Sequence, residues 1–350
     1  MKEKIYSFIR RFLPKRARGH VTLSLFKLGL KPTVHEYASP YRRGIVVMSA
    51  DFEMAWAFRY SKQRSQHAVE IGLQERKNVP VILNLLDTYQ IPCTWSTVGH
   101  LMLDSCRKTN GSIHSDMPRP AYFENKNWCF HSGDWYQHDP GSDYQKDPAW
   151  YAPDLVEQII QAQVSHEIGC HTFSHIDFTN EHCPPDLARA EISRCKELAA
   201  RMGIQLRSMV FPGGTEGNRQ VLKEQGFWCY RKPMDFEIDM PYVDEYGLVA
   251  IPSSYGMEKP SYNWSAKTCF EIVKSYLDKA AATRKVCHLW FHPSMHPWYL
   301  EKVFPRILKY IDEQRMVGLI DVYTMSDLAS NILDDYGIFT DMGIHEAPLF

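Results

Sequence analysis

The chain has 350 residues, 44% hydrophobic and 23% charged, with a formal net charge of −1. That is enough apolar chain for one large barrel or two smaller domains. The near-zero charge excludes a global pull toward nucleic acid, and no nucleic-acid motif is present. Nine cysteines, odd in number and without a C-x-x-C pair, fit reduced thiols in a cytosolic compartment better than a disulfide framework.

Residues 1–43 read as a basic amphipathic N-terminal segment. In "MKEKIYSFIRRFLPKRARGH", Ile5, Phe8, Ile9, Phe12 and Leu13 fall at helical spacing among Lys2, Lys4, Arg10, Arg11, Lys15, Arg16 and Arg18. The stretch has no uninterrupted apolar core and no small-residue cleavage site, so it does not read as a secretory signal. Residues 1–20 could lie on an anionic leaflet with the apolar stripe in the interface, or dock on the rest of the fold. No later run reaches the ~18 apolar residues of a transmembrane span.

From residue 44 strands alternate with helices, which predicts an α/β architecture. "GIVVMSAD" is a buried strand, followed by a polar stretch and a helix over "VPVILNLLDTY"; "IPCTWSTVG" is the next strand. Residues 104–152 are rich in Pro, Gly, Asp and aromatics and too long for a simple connection, so they read as a functional insertion. The pattern resumes with a helix over "PDLVEQIIQAQV", the strand "HEIGC", a helix that starts at two prolines and stops at Gly203, and the strand "LRSMVF". "RQVLKEQG", "FWCYR", "GLVAIP", "SAKTCFEIVKSYLDKAAA" and "VCHLWF" then alternate helix and strand. A helix from Pro297 to about Gln314, the strand "LIDVYT" and a helix capped by Ser326 complete residues 44–333, and residues 334–350 form a tail.

The chemically notable residues follow predicted strands, and in a parallel α/β fold the loops after the strand ends gather on one face. Asp51 and Glu53 end the first strand. The i and i+2 side chains of an extended strand share a face, so both carboxylates could reach one ion. Alone, D-x-E is more often a solvated loop end. His171 and His175 follow "EIGC"; spacing by itself does not show that two imidazoles converge, but the preceding apolar strand favours it. Two histidines and a carboxylate are what a catalytic zinc or similar ion takes while leaving a position open for water and substrate. Pro212, Gly213 and Gly214 make a turn in which the backbone could approach a ligand, although a plain turn explains the same residues. His292 ends the strand that carries Trp290.

These ordered motifs resemble the polysaccharide deacetylase family, carbohydrate esterase family four with its NodB-type homology domain, over residues 44–333. The resemblance implies a distorted (β/α) barrel of seven or so strands. It implies that Asp51 is the general base, that Glu53, His171 and His175 hold a divalent metal, most readily Zn2+ and otherwise Co2+ or another ion, and that His292 is the general acid. It also implies that Pro212, Gly213 and Gly214 supply an oxyanion donor and groove wall, with Trp290 and Leu289 near the acyl pocket. The spacing of Asp51 and Glu53 departs from the commoner adjacent pair and leaves open which one is the ligand. The groove-wall Arg is missing from the turn, with Arg207 or Arg231 as substitutes, and Asp235 and Asp239 match the acidic groove motif poorly.

The implied reaction is hydrolytic deacetylation of an N-acetylated sugar, an intermediate or unit of a cell-surface polysaccharide, in the cytoplasm or at the inner face of the membrane. The alternatives are another C–N hydrolase on the same barrel, acting on a cyclic amide or formyl group, or a catalytically silent glycan-binding protein. Trp128, Trp135, Tyr136, Tyr144, Trp150 and Tyr151 either stack on sugar rings or bury the insertion. His100, His131 and His138 read as hydrogen-bonding residues rather than ligands. His296 caps the helix begun by Pro297, the sharper alternative being a second metal site with His292.

Overall fold

A computed structural model describes residues 15–34, 38–234, 237–258 and 263–335. In chain order they form α1 (Lys15–Lys27), β1 (Thr33–Val34), β2 (Gly44–Phe52), α2 (Ala68–Thr88), β3 (Thr94–Thr97), β4 (Phe123–Glu124), β5 (Cys129–Phe130), α3 (Pro153–Ile160), β6 (Glu167–Cys170), α4 (Pro185–Arg201) and β7 (Ser208–Val210). They continue with α5 (Arg219–Glu224), β8 (Cys229–Lys232), β9 (Glu237–Ile238), β10 (Tyr242–Val243), β11 (Val249–Pro252), β12 (Tyr255–Gly256), α6 (Ala266–Thr283), β13 (Val286–Phe291), α7 (Pro297–Lys302), α8 (Phe304–Met316), β14 (Ile320–Tyr323) and α9 (Met325–Asp335).

The main sheet runs β10-β11-β8-β7-β6-β3-β2-β13-β12, parallel except for the β10–β11 pair. β14 pairs with the first half of β2, from Ile320 opposite Gly44 to Tyr323 opposite Val47, and β3 pairs with its second half, from Ser49 opposite Thr94 to Phe52 opposite Thr97. The two strands thus follow one another along one edge of β2. A buried carboxyl closes the junction: Glu167 accepts from the Thr94 hydroxyl at 2.7 Å and from the Ser326 N–H at 3.0 Å, while Thr94 accepts from the Met325 N–H at 2.8 Å. The result is the expected distorted (β/α) barrel, with ten strands in its sheet rather than seven or so, curled but open between β10 and β12.

All of β2 is buried, on two unlike faces. Val46, Met48, Ala50 and Phe52 join the main core, whereas Ile45 and Val47 join a smaller cluster with Met325, Leu328 and Leu333 of α9. The second face continues as Ser49 and Asp51. Strand alternation therefore turns an apolar face polar at the C-terminal end, where the site lies.

Several elements differ from expectation for identifiable reasons. α2 begins at Ala68 rather than near Val79 and carries Pro80 inside it. Its buried stripe includes Glu75 and Asn78, so polar residues concealed the helical period. The helix expected from Pro297 to about Gln314 is two helices that meet at Val303. Ser326 does not cap α9; the Thr324 hydroxyl accepts from the Asp327 N–H at 3.2 Å, and the Ser326 N–H is used at the Glu167 junction. His296 caps α7, its Nδ1 accepting from the Trp298 N–H at 3.1 Å.

The apolar stripe from Ile5 to Leu13 lies outside the described residues. In α1, Leu23 and Phe26 pack against the core, with the Phe26 ring 5.7 Å from that of Tyr276. No described helix is long and apolar enough to cross a membrane. Within the insertion, the β4–β5 hairpin and the buried Trp128, Trp135, Tyr136, Trp150 and Tyr151 extend the core, while Tyr144 is partly buried. These aromatics chiefly bury the insertion, and only Trp128 borders the site described below.

Gly44 tests the packing of β2. A Cβ there would sit 2.7 Å from the backbone of Ala280 and Ala281 in α6. Gly44→Ala should destabilise the fold by about 1–3 kcal/mol through overpacking, measured by denaturant unfolding; an unchanged midpoint would show that α6 yields freely.

Candidate active site

At the C-terminal ends of β2, β6, β8 and β13 the sheet gathers a buried charged cluster around Glu53. Its Oε2 lies 3.0 Å from His171 Nε2 and 3.1 Å from His175 Nε2, and its Oε1 lies 3.2 Å from His292 Nε2. Asp51, two residues earlier on the same face, forms a two-pronged pair with Arg231 at 2.6 and 2.7 Å. Arg231 also donates to the Ser49 hydroxyl at 3.0 Å, and Ser49 lies 2.9 Å from His288 Nε2. The guanidinium lies over Trp290, whose ring stands edge-on to His292 at 5.5 Å.

The histidines divide by environment. His171 and His175 are buried, whereas the His292 side chain is 39% exposed on the open side of the cluster. Burial opposes charge on Glu53, yet His292, His171 and His175 hold its carboxyl well below the ordinary range. Burial pushes His175 down to about 4. For His292 burial acts downward, but Glu53 outweighs it and raises the imidazole to about 9.

The donor set fits a divalent cation. His171 Nδ1 donates to the Val210 carbonyl at 2.7 Å, which leaves Nε2 as the ring nitrogen that a metal would take. Two ring nitrogens and a carboxylate oxygen converging in a buried site are the donors a divalent ion takes. Glu53, His171 and His175 place one ligand atom each within 4.8 Å of one another, as do Asp51, Glu53 and His292.

The loop that carries the two histidines is bent sharply and held from several sides. Thr172 and His175 adopt positive φ, 59° and 52°. Such conformations cost of order 1–3 kcal/mol each and persist only under external constraint. The Thr172 hydroxyl accepts from the Ile176 N–H at 3.2 Å, and the Thr172 carbonyl accepts from the Gly99 N–H at 2.9 Å. Glu191 accepts from both the N–H and the hydroxyl of Ser174, at 2.8 and 2.7 Å. Arg59, buried between the Trp56 and Trp135 rings, donates to the Ser174 carbonyl at 2.7 Å.

Two polar residues of α2 hold the other loops. Glu75 Oε1 accepts from the N–H groups of Glu53 and Met54 at 3.0 and 3.2 Å. Asn78 donates to the carbonyls of Pro293 and Met295 at 2.7 and 2.8 Å, just beyond His292. Sequence reasoning missed this pair along with Ser49, His288, Arg59 and Glu191. Strand alternation could have exposed Ser49 and His288, which share faces with Asp51 and His292; the helix residues carry no comparable signal.

Other expected residues sort as follows. Of the two arginines, Arg231 meets Asp51, while Arg207 lies over the Trp228 ring at the opposite end of the sheet. Gly213 and Gly214 have φ of 57° and 75° in the turn begun by Pro212. The Gly214 N–H is committed to the Phe211 carbonyl at 3.0 Å. A Cβ at Gly213 would lie 2.9 Å from Trp128 and Asn127, and Trp128 stands edge-on to His175 at 5.1 Å, so the turn borders the site through Trp128. Leu289 is buried in the core face of β13 rather than beside the site. Asp235 lies outside the described residues, and Asp239 bridges Val286 at the far end of β13. His131 pairs with exposed Glu124 at 3.3 Å, and the His138 ring packs on Tyr60. His100 is brought together with Cys106, His114 and Asp139, a grouping the sequence reading did not anticipate.

Glu75 offers a test of this bracing. Burial and the neighbouring Glu53 push its carboxyl up to about 8. The folded, chelated protein then holds a proton that the unfolded chain releases near its ordinary value. The stability this contributes is full below that value and lost as pH rises through about 8. Glu75→Gln should flatten that part of the pH–stability curve while keeping the acceptor oxygen. Glu75→Ala, which strands two buried N–H groups, should cost about 1–3 kcal/mol. Chemical denaturation of chelated protein across this range checks both, and identical curves for wild type and Glu75→Gln would count against a protonated Glu75.

The polysaccharide deacetylase family model matches residues 68–230. No curated protein matches the chain. Among solved structures, a protein of Mycobacterium smegmatis provisionally named a polysaccharide deacetylase is similar, at a TM-score of 0.56 and 16% identity, over 90% of this chain and 96% of that one. A Puue allantoinase is similar at 0.55 and 15% identity, over 85% of this chain and 92% of that one. At such identities the likeness shows the fold alone. Residues 68–230 thus match the polysaccharide deacetylase family, and the chain shares the fold of a protein named for that activity.

Proposed function

We propose that the protein is a zinc-dependent deacetylase of an N-acetylated sugar. The observation that carries this reading is the convergence of three imidazoles on Glu53, with an Arg-held Asp51 two residues away. Glu53, His171 and His175 would hold the ion, as a carboxylate and two neutral imidazoles suit zinc, with cobalt an acceptable replacement. When bound, a divalent ion there supplies Lewis acidity toward a carbonyl and lowers the pKa of water.

The chain's own residues divide the remaining work. Asp51 accepts a proton from the attacking water, and Arg231 fixes its orientation through both oxygens. His292, on the exposed side of Glu53, gives a proton to the departing sugar amine, which is too basic to leave as an anion. The Gly213 N–H is the candidate donor to the developing oxyanion, since that of Gly214 is committed to the turn. Trp290 stands edge-on to His292 and Trp128 edge-on to His175. The products are acetate and the free amino sugar.

For the substrate we favour an intermediate or unit of a cell-surface polysaccharide, met in the cytoplasm or at the inner face of the membrane. Nine free cysteines suit a reducing compartment, and the basic segment within residues 1–20 suits an anionic surface.

Zinc-loaded protein should release acetate from at least one of three groups, nucleotide-linked N-acetyl sugars, lipid-linked sugars or short oligosaccharides, and should stop after chelation. His171→Ala should lose the ion and turnover together, and full turnover in that variant would sink the reading. His292→Ala should keep the ion and lose about 10²–10⁴ in kcat. Hydrolysis of formyl or cyclic amides without acetate would favour a different C–N hydrolase. Glycan binding without any hydrolysis would favour a silent relative.

A further inference from the structure

A second group of metal-type donors lies behind the histidine loop, where the insertion meets the end of β3. His100 sits in the short helical turn after β3, and Cys106, His114 and Asp139 come from the insertion. Asp139 Oδ2 lies 2.8 Å from His100 Nε2 and 3.0 Å from His114 Nε2, and the two nitrogens are 3.1 Å apart. Cys106 Sγ lies 3.1 Å from each Asp139 oxygen and 3.8 Å from His100 Nε2. The His100 and Asp139 side chains are fully buried and that of His114 nearly so.

We propose that His100, Cys106, His114 and Asp139 hold a second divalent cation, best matched by zinc, in a structural site that fastens the insertion to the barrel. A tetrahedral zinc at its usual bond lengths of about 2.0–2.3 Å keeps its ligand atoms about 3.3–3.7 Å apart. The separations of 2.8–3.8 Å bracket that spacing without an ion to hold them. Two imidazoles, a thiol and a carboxylate make a complete four-ligand set, which leaves no open position and so marks a structural site rather than a catalytic one.

The surrounding groups behave as outer partners of such ligands. His100 Nδ1 faces the Trp150 carbonyl at 3.3 Å, an arrangement that places the ring hydrogen on Nδ1 and a lone pair on Nε2. That lone pair then points at the carboxylate oxygen 2.8 Å away, a buried repulsion that a cation removes. The Tyr151 hydroxyl at 2.7 Å and the Gly141 N–H at 2.9 Å both donate to Asp139 Oδ1, which leaves Oδ2 for the centre. Trp56 lies against His100 at 4.1 Å and Phe173 against His114 at 5.2 Å, while Cys106 keeps partial exposure. The competing account is a plain hydrogen-bond network on Asp139, which requires His100 to carry both ring hydrogens or to face Trp150 with a lone pair.

The link to the other site is short. The His100 N–H donates to the Phe173 carbonyl at 3.0 Å, and Phe173 lies between His171 and His175. An ion on His100 would therefore stiffen the backbone that supports the histidine loop.

Among the described residues, only this group brings a thiol to a largely buried metal position; the proposed active site is made of nitrogen and oxygen. Full-length protein loaded with Co2+ should therefore show a thiolate-to-cobalt charge-transfer band in the near ultraviolet. The band should be lost in Cys106→Ser and kept in Cys129→Ser, the control for the exposed Glu124, Cys129 and His131 grouping. Elemental analysis should give two zinc ions per chain in wild type and one in His171→Ala. A single ion per wild-type chain that is lost in His171→Ala, or no thiolate band with Cys106 reduced, would overturn the proposal in favour of the hydrogen-bond network. A band lost in Cys129→Ser but kept in Cys106→Ser would overturn it as well. The spectrum of Cys129→Ser and the zinc content of wild type and His171→Ala decide the matter even if Cys106→Ser fails to fold.

Discussion

Charge confined to a buried cluster is the constraint on which this structure depends. Glu53 is buried and ionised, and it is kept so by imidazoles on both carboxylate oxygens. A carboxylate in such a place is costly unless it is paired and fixed. The curled parallel sheet meets that demand by bringing the ends of β2, β6 and β13 together, so that residues far apart in sequence reach one point. The same strand alternation puts Asp51 beside Glu53 and sends Val46, Met48, Ala50 and Phe52 into the core behind them.

Holding the cluster requires polar groups where a core would normally be apolar. Glu75 and Asn78 clamp the loops after β2 and β13, and Glu191, Arg59 and Trp135 clamp Ser174 between the two buried histidines. Each clamp satisfies a backbone or side-chain group in the loops that carry the candidate catalytic residues. The insertion serves the same end: its buried aromatics build a second layer of core, and Trp135 and Trp128 touch the histidine loop from that layer. Its main role in the fold is therefore support rather than display of stacking surfaces.

Much of this arrangement was legible in the sequence because the signal was local. Strand ends followed by Asp51, His171 and His292 marked one face of an α/β sheet, and the apolar alternation of β2 and β13 located both strands well. Apart from Ser49 and His288, what escaped notice had no local signature. The first half of α2 looked like a polar linker because Glu75 and Asn78 occupy its buried stripe. Arg207 precedes the strand before the Pro212 turn and Arg231 lies near the end of the strand after it, and only strand polarity, which puts one at each end of the sheet, separates them. His100, Cys106, His114 and Asp139 are irregularly spaced through a loop-rich stretch, so their meeting is a product of tertiary folding.

The account turns on a division of labour between two carboxylates on one strand face. Zinc content of purified Glu53→Gln and Asp51→Asn, measured beside acetate release, tests it most directly. The expected result is that Glu53→Gln loses one ion per chain relative to wild type, whereas Asp51→Asn keeps the wild-type zinc content and loses turnover. Retention of that ion by Glu53→Gln, or its loss from Asp51→Asn, would contradict the assignment of Glu53 as ligand and Asp51 as base.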